Sequence, residues 1–389
     1  MQKIVIILTQ AIENNSSSMI RCKNIINALV QIGYEVTCYC PNPDVKSVYY
    51  GEDKGINSCV RIERYGNARI FKVDANNSKE KKNLKKRFIS VCYTLFKKVD
   101  VFGSSLQYLR YRKKIFKQIK EENHDILLTF SDPMTAHMIG IYCKKRLSIK
   151  YIQQWGDPLT TDTISKTALP VKVRYWIERK LLKPADRVCY VSPLTFDEQK
   201  RIFKKDATKM MFLPTPCIEY NKPSSEKNSR IRVGYYGSYN LVARDIRKLY
   251  NAACNVKECD FLFIGDSDIK LEPQENIQVI NRITPNELEK YEEDTDVLVC
   301  LMNSKGNQVP GKVYHYAGSY KEILFIKDGE FGDVIEEFFS QFNRYTFVEN
   351  DCEKIEAVLR QYVTNGVTER TPLAEFKAEN IVRKLVNDI

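Results

Sequence analysis

The chain has 389 residues, 43% hydrophobic and 28% charged, with a formal net charge of +12. That composition excludes a disordered or fibrous chain, and the length is more than one core comfortably fills, so two domains are expected. No stretch approaches the roughly 18 apolar residues of a membrane span, and the opening MQKIVIILTQ is too short for a secretory apolar region, so it reads as a buried first strand.

Strand and helix signals alternate from the start. Lys3–Thr9 reads as a strand, QAIENNSSS as a polar loop, and a helix runs from about Ser18 with Ile25, Ile26, Leu29 and Val30 on one face and Gly33 as its stop. YEVTCYC follows as a second strand. The loop of this βαβ start lacks GxGxxG, which disfavours a dinucleotide grip there. Further strands are expected at Arg69–Val73, Asp125–Phe130, Lys150–Gln154, Arg187–Ser192 and Met210–Leu213, with helices at Pro133–Lys145 and Val171–Leu182. PTPCIEYNKPSSEKNSR breaks the pattern with three prolines and reads as a linker.

The alternation then restarts. IRVGYYG, DFLFIG, Ile277–Ile280, DVLVCL and EILFIK read as strands, separated by helices at Ala243–Val256, Pro285–Glu293 and Lys312–Ser319. Leu373, Phe376, Ile381 and Leu385 fall near one face of a closing helix. Two doubly wound α/β domains are the economical architecture, with ligands expected outside the carboxyl ends of the strands.

Twelve cysteines fall singly in apolar runs with no CxxC pair, as small buried side chains rather than zinc ligands or disulfides. The charge is uneven. Segment 79–120 holds 14 basic and two acidic residues, so it accounts for the whole surplus of +12. Its basic clusters alternate with Phe88, Ile89, Val91, Leu95, Phe96, Leu106, Leu109, Ile115, Phe116 and Ile119. Such a pattern suits an anionic membrane surface. A solvated helix packing its apolar face on the domain fits it too, and nucleic acid fits it less, for want of a groove-reading module.

Two helix starts in the second half could hold an anion. In GYYGSYNLVARDIRKL a strand ends at Tyr236, Gly237 and Ser238 turn the chain, and a helix carrying Arg244 is expected next. Open N–H groups of that turn would cradle an anion that Arg244 could bridge, unless Gly237 serves only the turn and Arg244 is solvated. In QVPGKVYHYAGSYKEILFI, Lys312 lies in a first helical turn, and His315, one turn on, either faces the same ligand or packs between Tyr314 and Tyr316.

With these stretches in view, the chain resembles GT-B glycosyltransferases of the family 4 type, retaining enzymes that use nucleotide-sugar donors. DILLTFSDPMTAHMIG, QWGDPLT, ADRVCYVSPLTFDEQ, YYGSYNLVARDIRKLYNAA and VPGKVYHYAGSYKEILFI are each similar to a family stretch, in the family's order and along nearly the whole chain. The resemblance implies an acceptor-side Rossmann-like domain at 1–215, a nucleotide-sugar domain at 216–370, and a closing helix at 371–389 packing back on the first. Carried over by position, Gly237, Ser238, Arg244 and Lys312 would hold the donor diphosphate, Arg282 and Ile283 the base, and Asp157 would face the sugar or acceptor. Asp157, Arg244 and Lys312 are the implied catalytic residues, and Asn15, Ser16 and Ser17 the implied acceptor side. Asn307 and His315 stand where the family has two glutamates, the second of which binds ribose. A neutral imidazole offers one donor and one acceptor, where a carboxylate accepts from both hydroxyls. The family's Lys-Pro is here Lys321-Glu322.

The function implied is transfer of a sugar to a glycan or lipid-linked acceptor in bacterial-type surface polysaccharide synthesis. Reaction on one face would let the leaving diphosphate take the acceptor proton, with no cofactor, no metal and either UDP or GDP as the donor nucleotide. Expected partners are the donor, the acceptor and an anionic membrane through 79–120, with a cytoplasmic location peripheral to the membrane. A non-catalytic GT-B homologue that binds a partner enzyme or glycan is the alternative, followed by a sugar-nucleotide epimerase.

Overall fold

The computed structural model describes every residue except 1, 48, 53–54, 68–100, 132, 162–166, 221, 223–228 and 388. The strand expected at Arg69–Val73, most of the basic segment and part of the proline-containing linker lie outside the described residues. Two compact units divide the chain: Met1–Val191 with Thr195–Phe212 and Val386–Ile389, and Leu213–Leu385 with Ser192–Leu194.

The first unit is built on seven parallel strands: β1 (Lys3–Ile7), β2 (Glu35–Cys40), β3 (Arg61–Arg64), β4 (Ile126–Phe130), β5 (Lys150–Trp155), β6 (Arg187–Tyr190) and β7 (Met210–Phe212). Their order in the sheet is β3-β2-β1-β4-β5-β6-β7. β1 and β4 are buried along nearly their whole length, as strands covered on both faces must be, and that is why they read as continuous apolar runs. In register, Ile6 pairs with Cys38 on one side and Leu128 on the other.

Helix α1 (Ser17–Gln31) starts where the Ser16 hydroxyl accepts the Met19 N–H and stops before Gly33, at φ +98°. On one face of the sheet lie α2 (Arg112–Glu122), α3 (Thr135–Lys144) and α4 (Val171–Leu182), α3 between the other two. They close a core of Val5, Ile7, Tyr151, Trp155, Ile115, Ile119, Ile139 and Leu182. The edge strand β3 (Arg61-Ile-Glu-Arg) is half-exposed, too short and polar to announce itself as a strand.

In the second unit the parallel strands are β8 (Ile231–Tyr236), β9 (Cys259–Ile264), β10 (Ile277–Ile280), β11 (Val297–Leu301), β12 (Glu322–Lys327) and β13 (Thr346–Glu349), in the order β10-β9-β8-β11-β12-β13. With α5 (Pro193–Ile202) earlier in the chain, the helices that follow are α6 (Arg247–Asn255), α7 (Pro285–Glu293), α8 (Gly311–Tyr316), α9 (Gly332–Ser340), α10 (Cys352–Asn365) and α11 (Ala378–Val386). Thr284 and Glu287 cap α7 reciprocally, which fixes its start.

One expectation fails locally. Arg244 is not on a helix: Asn240 Oδ1 accepts the N–H groups of Val242 (3.0 Å) and Ala243 (2.8 Å). The resulting turn closes as a backbone bridge between Asn240 and Arg244, and α6 begins only at Arg247.

Candidate functional site

Each sheet reverses strand order beside its first strand, between β1 and β4 in the first unit and between β8 and β11 in the second. Loops leaving the carboxyl ends of such a pair diverge to opposite faces and open a crevice.

In the second unit, Gly237 and Ser238 follow β8 at that point. The Gly237 N–H donates to Ile264 O (2.9 Å) and the Tyr239 N–H to Asp266 O (3.1 Å), so the turn prolongs the β8–β9 pairing. Of the turn's N–H groups expected to be open to an anion, that of Gly237 is therefore committed, as is the N–H of the following Tyr239. Among the described residues, Ser238 is the one of the three whose N–H meets no backbone carbonyl. A β-carbon on Gly265 would lie 2.1 Å from Gly237 O, whereas one on Gly237 would meet nothing nearer than Tyr235 Oη at 3.9 Å. The glycine that the packing requires is thus Gly265, which the motif reading passed over. Tyr235 Oη donates to Ser238 O (3.2 Å); burial pushes its phenol up to about 12, against the pull of the Arg244 charge.

The Arg244 Nε donates to Asn303 Oδ1 (2.7 Å), just past β11. This bond spans the divergence point and ties the loop after β8 to the loop after β11. Lys312, second residue of α8, places its ammonium 2.5 Å from the carboxylate of Glu292 on α7 and 5.0 Å from the centre of the Tyr316 ring. Glu292 is buried and also accepts from the hydroxyls of Tyr316 (3.2 Å) and Tyr220 (3.1 Å). Nothing in the motif pointed to Glu292.

Arg282, exposed, reaches Asp266 at 3.5 Å, and half-buried Ile283 precedes the Thr284 cap of α7. Asn307 and His315 are both buried. His315 sits in the last turn of α8, its Cε1 4.0 Å from where a β-carbon of Gly311 would stand. Lys321 donates to the carbonyls of Glu293 and Thr295, each at 2.5 Å, and so caps the end of α7. Glu322 takes Arg370 (2.7 Å) and the Thr346 hydroxyl (2.6 Å). That pairing gives the buried glutamate its partners.

In the first unit, a cavity of about 560 Å³ opens at the β1/β4 divergence. Thr9, Gln10, Ser131 and Asp157 bring polar groups to it, and Phe102, Tyr108 and Met134 form an apolar wall. Ser131 Oγ accepts the Gly156 N–H (2.8 Å), holding the loop after β4 to the loop that carries Asp157. The far end of that loop is held by Glu178 of α4, buried, whose carboxylate accepts the Thr160 N–H (2.6 Å) and hydroxyl (2.5 Å). Burial raises Glu178 to about 7, offset in part by those bonds.

Asp157 is exposed at the cavity. Asn15 Oδ1 accepts from Lys23 Nζ (3.0 Å), Ser16 caps α1 and donates to Gln10 Oε1 (3.3 Å), and Ser18 of α1 lines the cavity. Gln10 and Ser131 also line the cavity, and the sequence reading did not single them out. Their signal was position, immediately past the two strands that flank the reversal.

No family model matches the chain, and no curated protein resembles it significantly. Solved structures do resemble it. Sucrose-phosphate synthase from Thermosynechococcus elongatus aligns over 100% of this chain and 95% of its own, with TM-score 0.59 and 14% identity. HepE of Anabaena, in complex with UDP and glucose, aligns over 99% and 95%, with TM-score 0.57 and 11% identity. A protein described as a UDP-N-acetylglucosamine 2-epimerase from Listeria monocytogenes aligns over 99% and 94%, with TM-score 0.55 and 10% identity. At such identities the likeness is one of fold, and it agrees with the two sheets: the chain has the GT-B fold, built of two doubly wound Rossmann-like units.

Proposed function

We propose that the protein is a glycosyltransferase that moves a sugar from a nucleotide-sugar donor to a glycan or lipid-linked acceptor in surface polysaccharide synthesis. The observations that support this reading are the Arg244–Asn303 bond, which joins the loops after β8 and β11 beside Ser238, and the Glu292 carboxylate that holds the Lys312 ammonium at the start of α8. Oriented cations at a strand-end crevice suit a diphosphate. Arg282 and Ile283 would take the base, and Asn307 and His315 the ribose, with fewer acceptors than a carboxylate pair offers.

In this reading the bond from the anomeric carbon to the diphosphate oxygen breaks as one forms to the acceptor oxygen, and the acceptor proton passes to the departing phosphate. Arg244 and Lys312 stabilise the charge that grows on that phosphate, on a retaining course that needs no metal. The cavity at Asp157 would receive the acceptor.

A sugar-nucleotide epimerase is the second reading, supported by the comparable fold likeness to the Listeria protein. Incubation with UDP-, GDP-, ADP- and CMP-sugars, followed by thermal shift and by NMR of the sugar, separates the two. Stabilisation by one donor with transfer to an added glycan supports the transferase. Conversion of the donor sugar to its 2-epimer supports the epimerase, and no stabilisation by any donor would leave a non-catalytic binder.

A further inference from the structure

The outer face of α4 (Val171–Leu182) is built for contact. Its inner side is already satisfied: Leu181, Leu182 and Glu178 are buried, and Tyr175 stacks on Phe203 with ring centres 4.9 Å apart and planes at 2°. At 3.6 residues per turn, Lys172, Val173, Trp176, Lys180 and Lys183 fall together on the opposite side. Trp176 is 60% exposed and Val173 40%. Lys180 Nζ lies 5.6 Å from the centre of the indole and leaves most of it uncovered. The one acid of the helix, Glu178, points inward to Thr160, so the outward charge is all positive. Beside α3, helix α2 adds exposed Lys113, Lys114, Lys117 and Lys120 on the same face of the sheet.

An exposed tryptophan ringed by lysines is a poor solvent surface, since the indole stays in water while the cations repel one another. A layer of lipid phosphates above acyl chains answers both defects, because the amphipathic indole suits the headgroup boundary and long lysines reach phosphates from an apolar surface. We propose that this face of α4 docks on an anionic phospholipid bilayer, with Trp176 and Val173 entering the headgroup layer and Lys172, Lys180 and Lys183 on lipid phosphates. The α4 residues themselves lie outside segment 79–120, whose end supplies the neighbouring lysines of α2.

The chain carries its own probe. It has two tryptophans, and Trp155 is fully buried in the core, so a lipid-dependent change in emission reports Trp176. The full-length protein is mixed, without any sugar nucleotide, with vesicles of phosphatidylcholine or of equal parts phosphatidylcholine and phosphatidylglycerol. A blue shift, quenching by brominated lipid and flotation are expected with the anionic vesicles alone. Trp176→Phe removes the spectral change. Combined Lys172→Glu, Lys180→Glu and Lys183→Glu weakens flotation about a hundredfold while the emission of Trp155 and the far-ultraviolet spectrum are retained. Flotation with unchanged emission, which would place binding elsewhere, overturns the proposal. So does the absence of flotation, or a protein-concentration-dependent shift without lipid, which would assign the face to a second copy. Because no donor is present, the result is independent of whether sugar transfer occurs.

Discussion

Lys312 and Glu292 form an ion pair across α8 and α7, 20 residues apart in sequence, with the carboxylate buried and the lysine side chain 30% exposed. Glu292 also gathers the hydroxyls of Tyr220 and Tyr316, so one buried carboxylate serves three donors. Removing it strands them all. Glu292→Ala is expected to cost about 3 kcal/mol in urea denaturation, and Lys312→Ala about half that, because the lysine is partly solvated. The pair Lys312→Met with Glu292→Gln should recover much of the stability and none of the nucleotide-dependent thermal shift. Recovery of both would show that Lys312 has only a structural role.

Arg244 is oriented by Asn303 through Nε, and its guanidinium also bonds the Tyr235 phenol. Asn303→Ala should weaken nucleotide-sugar binding about tenfold by calorimetry and leave stability nearly unchanged, since it removes one oriented bond. Arg244→Lys should weaken it further, because an ammonium cannot hold Asn303 and a phosphate in one plane. Equal binding by the native chain and both variants would remove Arg244 from the proposed diphosphate site.

Gly265 and Gly237 respond oppositely to alanine. At Gly265 the new methyl would stand 2.1 Å from a backbone oxygen, and backbone cannot swing aside as a side chain can. A loss of about 2 kcal/mol is expected, together with weaker nucleotide binding as the Ser238 turn is pushed away. Gly237→Ala meets only van der Waals contact and should be tolerated within about 0.5 kcal/mol. Thermal melts of the two variants check the contrast.

Glu178 sets a pH dependence with a defined sign. Its folded pKa is raised from 4.5 to about 7, chiefly by burial, so between those values the folded state holds a proton that the unfolded chain has released. Stability from this group is full below about pH 4.5 and is lost as pH rises through 7, by up to about 3 kcal/mol. Glu178→Gln should flatten that fall. Urea midpoints at pH 5 and pH 8 for the native chain and the variant give the difference. An equal fall in both would show that the carboxylate is already ionised in the folded state.

Much of the fold could be read from the sequence because parallel strands covered on both faces must be apolar almost throughout. KIVII, ILLTF and VLVCL announce themselves, and Gly33 marks a helix end by local geometry alone. Half-exposed edge strands carry no such requirement, and β3 and β13 passed unnoticed. The strand–turn at Gly237 and Ser238 was local enough to be placed after β8. What the turn does was not, since the N–H groups on either side of Ser238 are taken by the carbonyls of Ile264 and Asp266, at and just past the end of β9. The same holds for Lys312, whose carboxylate partner comes from another helix, and for Gly265, whose need for a bare Cα exists only because the Gly237 backbone lies against it. Hydrophobic period and caps are properties of neighbours along the chain, so the sequence alone determines them. Ion pairs, close backbone approaches and the exposed face of α4 are properties of neighbours in space, and only the tertiary structure decides those.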